Sequence, residues 1–456
     1  MTRRPLALAL ALLMLPIGAQ AEDLLQSYEL ARSSDPQLSA AEANRIISRE
    51  GAVQARAALL PQVNGTASYT RADGDDESST AGTDTSSDST TRDVGLRLNQ
   101  MVYDHSAINR ARSQGALATA GDFQLESAGD ALIVRTAKAY FDVLIAMETL
   151  AAAEAQEAAL KKQFDFADKR LEVGLAPITD VHEARAQYDR ARANTIVTAN
   201  ALEDAYRALE EITGRDMRAL KALPQDFQPE LPSSKDAEGW VQTALDNNPG
   251  LKAQEFRVKS AESGIESARG GHYPTLYFGA NLGRTRTDGD STNNILNATA
   301  DFERESASRS LGLTLSVPIF AGGGTQSGVR QAIAQRDAAG DEYEQQKRSL
   351  VRNTRNAYRT LVAGVSEVEA RKAAVFSARS AYEASQIGLE VGTRTVLDVL
   401  NNQQTLFNAE QEYARTRYNF LQNRLLLEQA AGTLDIEDLQ DINRLLTVDA
   451  APKNAP

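Results

Sequence analysis

His105, His182 and His272 are the only imidazoles in the 456-residue chain, which has no cysteine at all. They fall in none of the short spacings that hold a metal ion or build a proton relay, so surface or interfacial roles are expected. The missing thiols exclude disulfides, thiolate metal sites and a lipidated N-terminal cysteine. One passage, FAGGGTQSG at Phe320–Gly328, runs from strand to glycines to helix in the manner of a phosphate cradle. Ser327 occupies the position of the third glycine, however, and no P-loop lysine follows. Its glycines answer a steric need, an abrupt change from strand to helix. Adjacent acids such as Glu210 and Glu211 read as solvated helix faces. No catalytic, cofactor-binding or metal site is expected, and the chain does not read as an enzyme.

The remaining charged residues of interest lie in two similar stretches. VGLAPITD runs from Val173 to Asp180, and VGTRTVLD from Val391 to Asp398. Gly174 and Gly392 suit the left-handed position that ends a helix. Pro177 suits the start of the next helix, with Thr179 or Thr395 placed to cap it. Asp180, Arg394 and Asp398 exceed what a plain turn needs.

These stretches belong to a tandem duplication. Residues 171–214 align with 389–432 without a gap, a shift of 218 positions. Ala139-Tyr140 meets Ala357-Tyr358 at the same shift, and DPQL at Asp35 meets NPGL at Asn248 at a nearly equal one. The first repeat covers 22–232 and the second 233–440, with a tail over 441–456. Helices are expected over 23–59, 106–173 and 179–213, then over 235–270, 325–391 and 396–431. Ala, Glu, Gln, Arg and Leu dominate them, and narrow apolar stripes such as Leu132, Val134, Ala137, Phe141 and Leu144 suit helices gripping neighbours edge to edge. At 1.5 Å per residue the long helix of each repeat measures roughly 100 Å.

Four segments have period two instead, with strands expected over 63–71, 93–103, 275–286 and 308–320. Leu311, Leu313, Leu315, Val317 and Ile319 alternate with small or polar residues, the pattern of a half-buried strand. Nine to eleven residues is also about what a tilted strand needs to cross a bilayer. Leu313 and Leu315 are therefore expected to face lipid, with Thr314 and Ser316 on the opposite face. The acidic, Ser/Thr-rich residues 72–91 and the weaker counterpart 287–305 read as solvated loops. Four strands cannot close a barrel alone, and an open edge in lipid leaves backbone groups unpaired. Several chains must share one barrel: two would supply eight strands, three would supply twelve.

The N-terminus supplies Arg3 and Arg4, an apolar run over 6–15 and a small-residue AQA at 19–21, a secretory signal covering 1–21. The formal charge is -13, and the signal takes away two arginines, leaving 47 basic against 62 acidic residues, or -15. Nucleic acid is not an expected partner. Without the alternating segments, a periplasmic coiled-coil structural or adaptor protein would satisfy the rest of the pattern. A soluble coiled coil has no use for strands of bilayer length.

VGLAPITDVHEARAQYD, VGTRTVLDVL and the SVPIFAGGG before a long helix resemble the outer membrane factor (TolC) family over essentially the whole mature chain. The resemblance implies a mixed fold: a twelve-stranded transmembrane β-barrel shared by a homotrimer in outer-membrane lipid, continuing into a periplasmic α-helical tunnel. It implies a passive conduit for type I protein secretion or multidrug efflux, completed by a periplasmic adaptor and an inner-membrane transporter of ABC or RND type. Adaptor docking would fall on Val173, Gly174 and Leu175 and on Val391, Gly392 and Thr393. A periplasmic gate would use Thr179, Asp180 and Arg394, with a ring formed by Asp398. Two positions depart from the family pattern: Leu389 replaces a gate tyrosine, and Asn401 stands where a second acidic ring would be. The cargo is not specified, and the absence of Met or His clusters argues against specialised metal efflux.

Overall fold

A computed structural model describes residues 23–78, 83–175, 177–231 and 236–450. The expected secretory signal lies outside the described residues. The elements of the first repeat are α1 (Leu24–Ser34), α2 (Pro36–Ala57), β1 (Gln62–Ser78), β2 (Thr83–Tyr103), α3 (His105–Glu172), α4 (Ile178–Thr213) and β3 (Lys221–Ala222). The second supplies α5 (Ala237–Asn247), α6 (Pro249–Arg269), β4 (Thr275–Asn293), β5 (Ala298–Ser316), α7 (Gly324–Glu390) and α8 (Val396–Ala431), followed by α9 (Ile436–Leu445) and β6 (Val448–Asp449). Two compact units result, and each draws on both repeats. Among the described residues, one holds 23–43, 123–252 and 345–450; the other holds 44–122 and 253–344.

The second unit is built on one antiparallel sheet of order β1-β2-β4-β5. Its register sets Val63 against Leu98, Leu98 against Ala280, and Ala280 against Leu311. The apolar set of every strand thus shares one face, on which Leu311, Leu313 and Leu315 are exposed. The strands run well past the expected limits at their loop ends, to 17, 21, 19 and 19 residues, while the last one stops at Ser316 and not at 320, because Pro318 has no amide to donate. Most of 72–91 and 287–305 is therefore paired strand and not solvated loop. The extensions need no apolar face, because cross-strand polar pairs replace it. Thr91 meets Thr287 at 3.2 Å, Arg71 reaches Asp88 at 2.7 Å, and Arg92 reaches Asp288 at 2.9 Å. Alternating hydrophobicity marks only the part of a strand that needs an apolar face, so it understates the length. β1 and β5 are left as edges.

Around the strand ends, Gly322 and Gly323 adopt φ of 59° and 83° and α7 begins at the next residue. The glycines of the FAGGG stretch make the turn. His105 opens α3 with its Nε2 at 3.6 Å from Glu266 and its ring edge-on to Tyr273. No cluster among the described residues could hold a metal ion.

The expected helices 23–59 and 235–270 are each broken in two. The residue before a proline is pushed out of the helical region, and Asp35 and Asn248 are extended at ψ of 119° and 118°. Their side chains then restart the chain as helix, accepting from the amides of Leu38 and Leu251 at 2.9 and 3.0 Å. The DPQL and NPGL matches are helix junctions. The tail boundary also shifts, since α9 runs through position 441. Its start is capped by Asp435, whose carboxylate accepts from the amides of Glu437 and Asp438.

The first unit has its main core where α1, α3, α4, α8, α9 and the segment around Met217–Phe227 meet. Leu24, Leu132, Tyr140, Leu144, Leu209, Leu220, Tyr418, Leu425 and Leu439 are fully or almost fully buried there. The Tyr140 hydroxyl accepts from the Lys221 amide at 2.8 Å and donates to its carbonyl at 2.9 Å. Buried Arg417 pairs with Glu148 at 2.6 Å and donates to the Pro224 carbonyl at 3.0 Å, while Tyr418 also donates to Glu148. A charge so enclosed is tolerable because it is paired and hydrogen-bonded.

Candidate functional site: the helix-hairpin tips

Both long helices end in the same turn. Gly174 and Gly392 have φ of 73° and 78°, and their amides bond back to Leu171 and Leu389 at 2.9 and 3.2 Å. The next amides, of Leu175 and Thr393, reach the carbonyls of Arg170 and Gly388, both at 2.8 Å. This double closure satisfies carbonyls that a helix end otherwise leaves open, and it requires the left-handed glycine. A Cβ added at either glycine would meet nothing within 4 Å. Around them Val173, Leu175 and Ile178 at one tip, and Val391 and Leu397 at the other, are exposed. Gly174, Gly392 and Thr393 are exposed as well. Two outward apolar knuckles stand on rigid turns.

Beneath the knuckles the hairpins are packed. Ala167, Val181 and Ala184 are buried beside Phe164 and Leu171, and the Phe164 and Tyr188 rings stack at 6.3 Å. Leu160, Ala191 and Leu400 form a second small cluster with Tyr188 and Val396, which joins the two hairpins. Gln156 on α3 donates to Gln404 on α8 at 2.8 Å.

The helices leaving the tips start differently. Thr395 caps α8: its hydroxyl accepts from the Asp398 amide at 3.2 Å, and the Asp398 carboxylate accepts from the Thr395 amide and hydroxyl, each at 2.9 Å. These bonds from Thr395, aided by the charge of Arg394, hold the Asp398 carboxyl below its usual range. Turn chemistry therefore accounts for Asp398 within the chain. At α4 the cap position is Pro177, with no side-chain bond. Thr179 lies inside the first turn, because Pro177, two residues before it, holds the cap position. Asp180, which corresponds to Asp398 in the repeat, has no such side-chain bond among the described residues.

Arg394 is exposed, and among the described residues neither it nor Asp180 is in an ion pair within the chain. One determinant escaped the sequence reading. A Cβ at Gly388 would lie 2.6 Å from Cγ of Arg394, so this glycine lets the arginine stem fold back along the end of α7. The first repeat has Arg170 there, whose guanidinium reaches the Leu175 carbonyl at 3.3 Å. A glycine inside helical sequence, one turn before the terminating glycine, was the available signal.

A sheet with one exposed apolar face and two open edges, carried on a chain of paired long helices, defines a barrel-and-tunnel class of membrane channel subunit. The chain belongs to the outer membrane efflux protein family, whose pattern it matches twice, over residues 27–215 and 240–433, once per repeat. It is 35% identical to the outer membrane protein TolC of Escherichia coli strain K12, covering 99% of this chain and 90% of that protein. It is 29% identical to the alkaline protease secretion protein AprF of Pseudomonas aeruginosa, covering 94% and 88%. The crystal structure of the CmeC outer membrane channel of Campylobacter jejuni superposes with a TM-score of 0.77 at 18% identity, over 93% and 90% of the two chains. The protein is an outer-membrane channel component.

Proposed function

We propose that the chain forms a homotrimeric outer-membrane export conduit, open to secreted proteins and small toxic molecules, that is completed by a periplasmic adaptor and an inner-membrane transporter. The observation that carries this reading is the pair of exposed apolar tips on identical, internally satisfied turns. A chain gains nothing for its own stability from such knuckles; a partner surface gains a preformed apolar contact. Assembly with other copies follows from the open edges of β1 and β5, which need strands from neighbouring chains in lipid, and the family to which the chain belongs favours three copies over two. The exposed apolar sheet face favours this over the soluble adaptor reading. The activity is transport and not catalysis.

The gate proposal narrows to Asp180 and Arg394. Among the described residues neither side chain is in an ion pair within the chain, whereas Asp398 caps its own helix. An arginine fork on a carboxylate is directional and strong when shielded, so a link from Arg394 to Asp180 across adjoining hairpins would hold the tunnel end closed. Thr179 lies beside that link, and Asp398 contributes a fixed negative charge at the entrance. The test is single-channel conductance of the purified trimer in planar bilayers. Arg394→Ser and Asp180→Ala should each raise conductance several-fold, and unchanged conductance in both ends the gate reading. A monomeric protein absent from the outer-membrane fraction would end the conduit reading itself.

A further inference from the structure

In an acidic protein, one segment of α7 is basic without interruption. From Gln345 to Ser366 there is no Asp or Glu, but there are Lys347, Arg348, Arg352, Arg355 and Arg359. Arg348, Arg352, Arg355 and Arg359 follow helical spacing and line a shallow concavity of about 500 Å³. Arg355 is held by Glu238 of α5 through two 3.0 Å bonds. Arg352 and Arg359 are exposed and have no partner within the chain among the described residues.

The repeat shows what should cover them. Contacts place the four long hairpin helices of the first unit in the row α4-α3-α8-α7. Tyr206 of α4 meets Met147 of α3 at 3.6 Å. Gln422 of α8 donates to the Val134 carbonyl of α3 at 3.4 Å, and Phe141 lies 5.8 Å from the Tyr418 ring. Arg379 of α7 pairs with Glu410 of α8 at 2.7 Å. Inside the row, the long helix of repeat one is covered by the short helix of repeat two. At its ends, the long helix of repeat two and the short helix of repeat one, α7 and α4, lack that neighbour.

Applying the 218-residue shift to the inner contact gives the outer one. Val134 becomes Arg352, Phe141 becomes Arg359, Gln422 becomes Asp204 and Tyr418 becomes Asn200. Asp204 is exposed and makes no bond within the chain among the described residues, and Ile196 and Val197 on the same helix are exposed apolar residues. The unpaired cations of one end thus match an unpaired carboxylate at the other. We infer that α7 of one copy docks on α4 of the next, with Arg352 and Arg359 clamping Asp204 and Asn200, an ionic seam between copies that replaces the apolar Phe141–Tyr418 contact inside each chain. The inference rests on the ring assembly proposed above.

The absence of cysteine permits a direct test on the full-length trimer in detergent. Arg352→Cys with Asp204→Cys, treated with a short bis-maleimide, should yield covalent species of two and three chains. The control pair Val134→Cys with Gln422→Cys should cross-link within a single chain only. Separately, Arg352→Asp should increase the fraction of trimer dissociated in mild SDS at least tenfold, and adding Asp204→Arg should restore at least half of the loss. A native trimer in which the first pair gives no inter-chain product overturns the seam and leaves the ring intact. A changed ion selectivity for Arg352→Asp with unaltered assembly would place the stripe on the lumen and overturns the seam as well. A native mass of one chain overturns seam and ring together.

Discussion

The two repeats place the same residue types at corresponding positions and use them differently. The Asp398 side chain is engaged in the cap of α8, while among the described residues the side chain of Asp180, its equivalent, makes no such bond. Glu210 lies on the surface of α4, paired with Arg207, whereas its equivalent Glu428 is buried on α8 between Arg424 and Asp438 of α9. At a third pair the residue type itself has changed with the surroundings: Phe141 sits in the core while Arg359 is exposed. Duplication supplied one backbone plan; the second copy acquired a cover, α9, and a basic edge. The difference teaches that equivalent positions report their surroundings, and that where they diverge an extra contact has appeared or remains to be made.

The glycine turns at the tips close alike in both repeats, and that likeness is the first thing to break. Alanine at Gly174 or Gly392 adds only left-handed strain of about 1–2 kcal/mol, since nothing in the chain lies nearby. Tryptophan adds bulk that only a partner can feel. Gly174→Trp and Gly392→Trp should each reduce export at least tenfold beyond the alanine variants, with trimer and membrane insertion intact by native gel and fractionation. A loss at one tip alone would show that the partner reads the hairpins unequally.

The closing glycines of the repeats should separate next. A Cβ at Gly432 would lie 2.6 Å from Cα of Asn248, a backbone atom, whereas at Gly214 the nearest atom is the Ser34 side chain at 3.0 Å. Both have left-handed φ, so Gly432→Ala should cost about 3 kcal/mol and Gly214→Ala about 1–2 kcal/mol. Hydrogen exchange at the C-terminal ends of α8 and α4 reads the two directly.

Glu428 and Glu210 sharpen the comparison through pH. Burial, with Asp438 nearby, pushes the Glu428 carboxyl from 4.5 up to about 8. Between those values the packed form keeps a proton that the released form loses, so packing weakens as pH rises. The contribution is complete below about pH 4.5 and gone above about pH 8. Glu428→Gln should flatten the pH dependence of α9 protection, while Glu210→Gln should leave it unchanged.

The smallest effect lies at the helix starts. Thr395→Ala removes a capping bond and should cost about 1 kcal/mol, whereas Thr179→Ala should stay within about 0.5 kcal/mol. Amide exchange in the first turns of α8 and α4 distinguishes them.

Periodicity made the helices, the four strands and the duplication legible, because each is written in local spacing. Gly174 and Gly392 were readable for the same reason: a turn with positive φ selects glycine whatever surrounds it. Strand length was not, since residues 72–78 and 83–91 gain their order from hydrogen bonds and charge pairs to neighbouring strands, not from an apolar face of their own. The roles of Thr179, Thr395 and Asp398 were interchangeable in sequence, and a single proline at 177 decided between them in space. Gly388 was visible only as a poor helix former until Arg394 was seen lying against it.

The amino-acid sequence by itself determined which segments are helix, which are strand, where the chain turns, and that it does all of this twice. Those properties rest on backbone preference and on one-dimensional spacing. Only the tertiary structure decided that Glu428 is buried and Glu210 is not, and that Arg352 and Arg359 of α7 have no partner within the chain among the described residues. Burial and charge pairing depend on which element lies across the way, and one-dimensional spacing does not name it: Phe141 meets the Tyr418 ring from the other repeat.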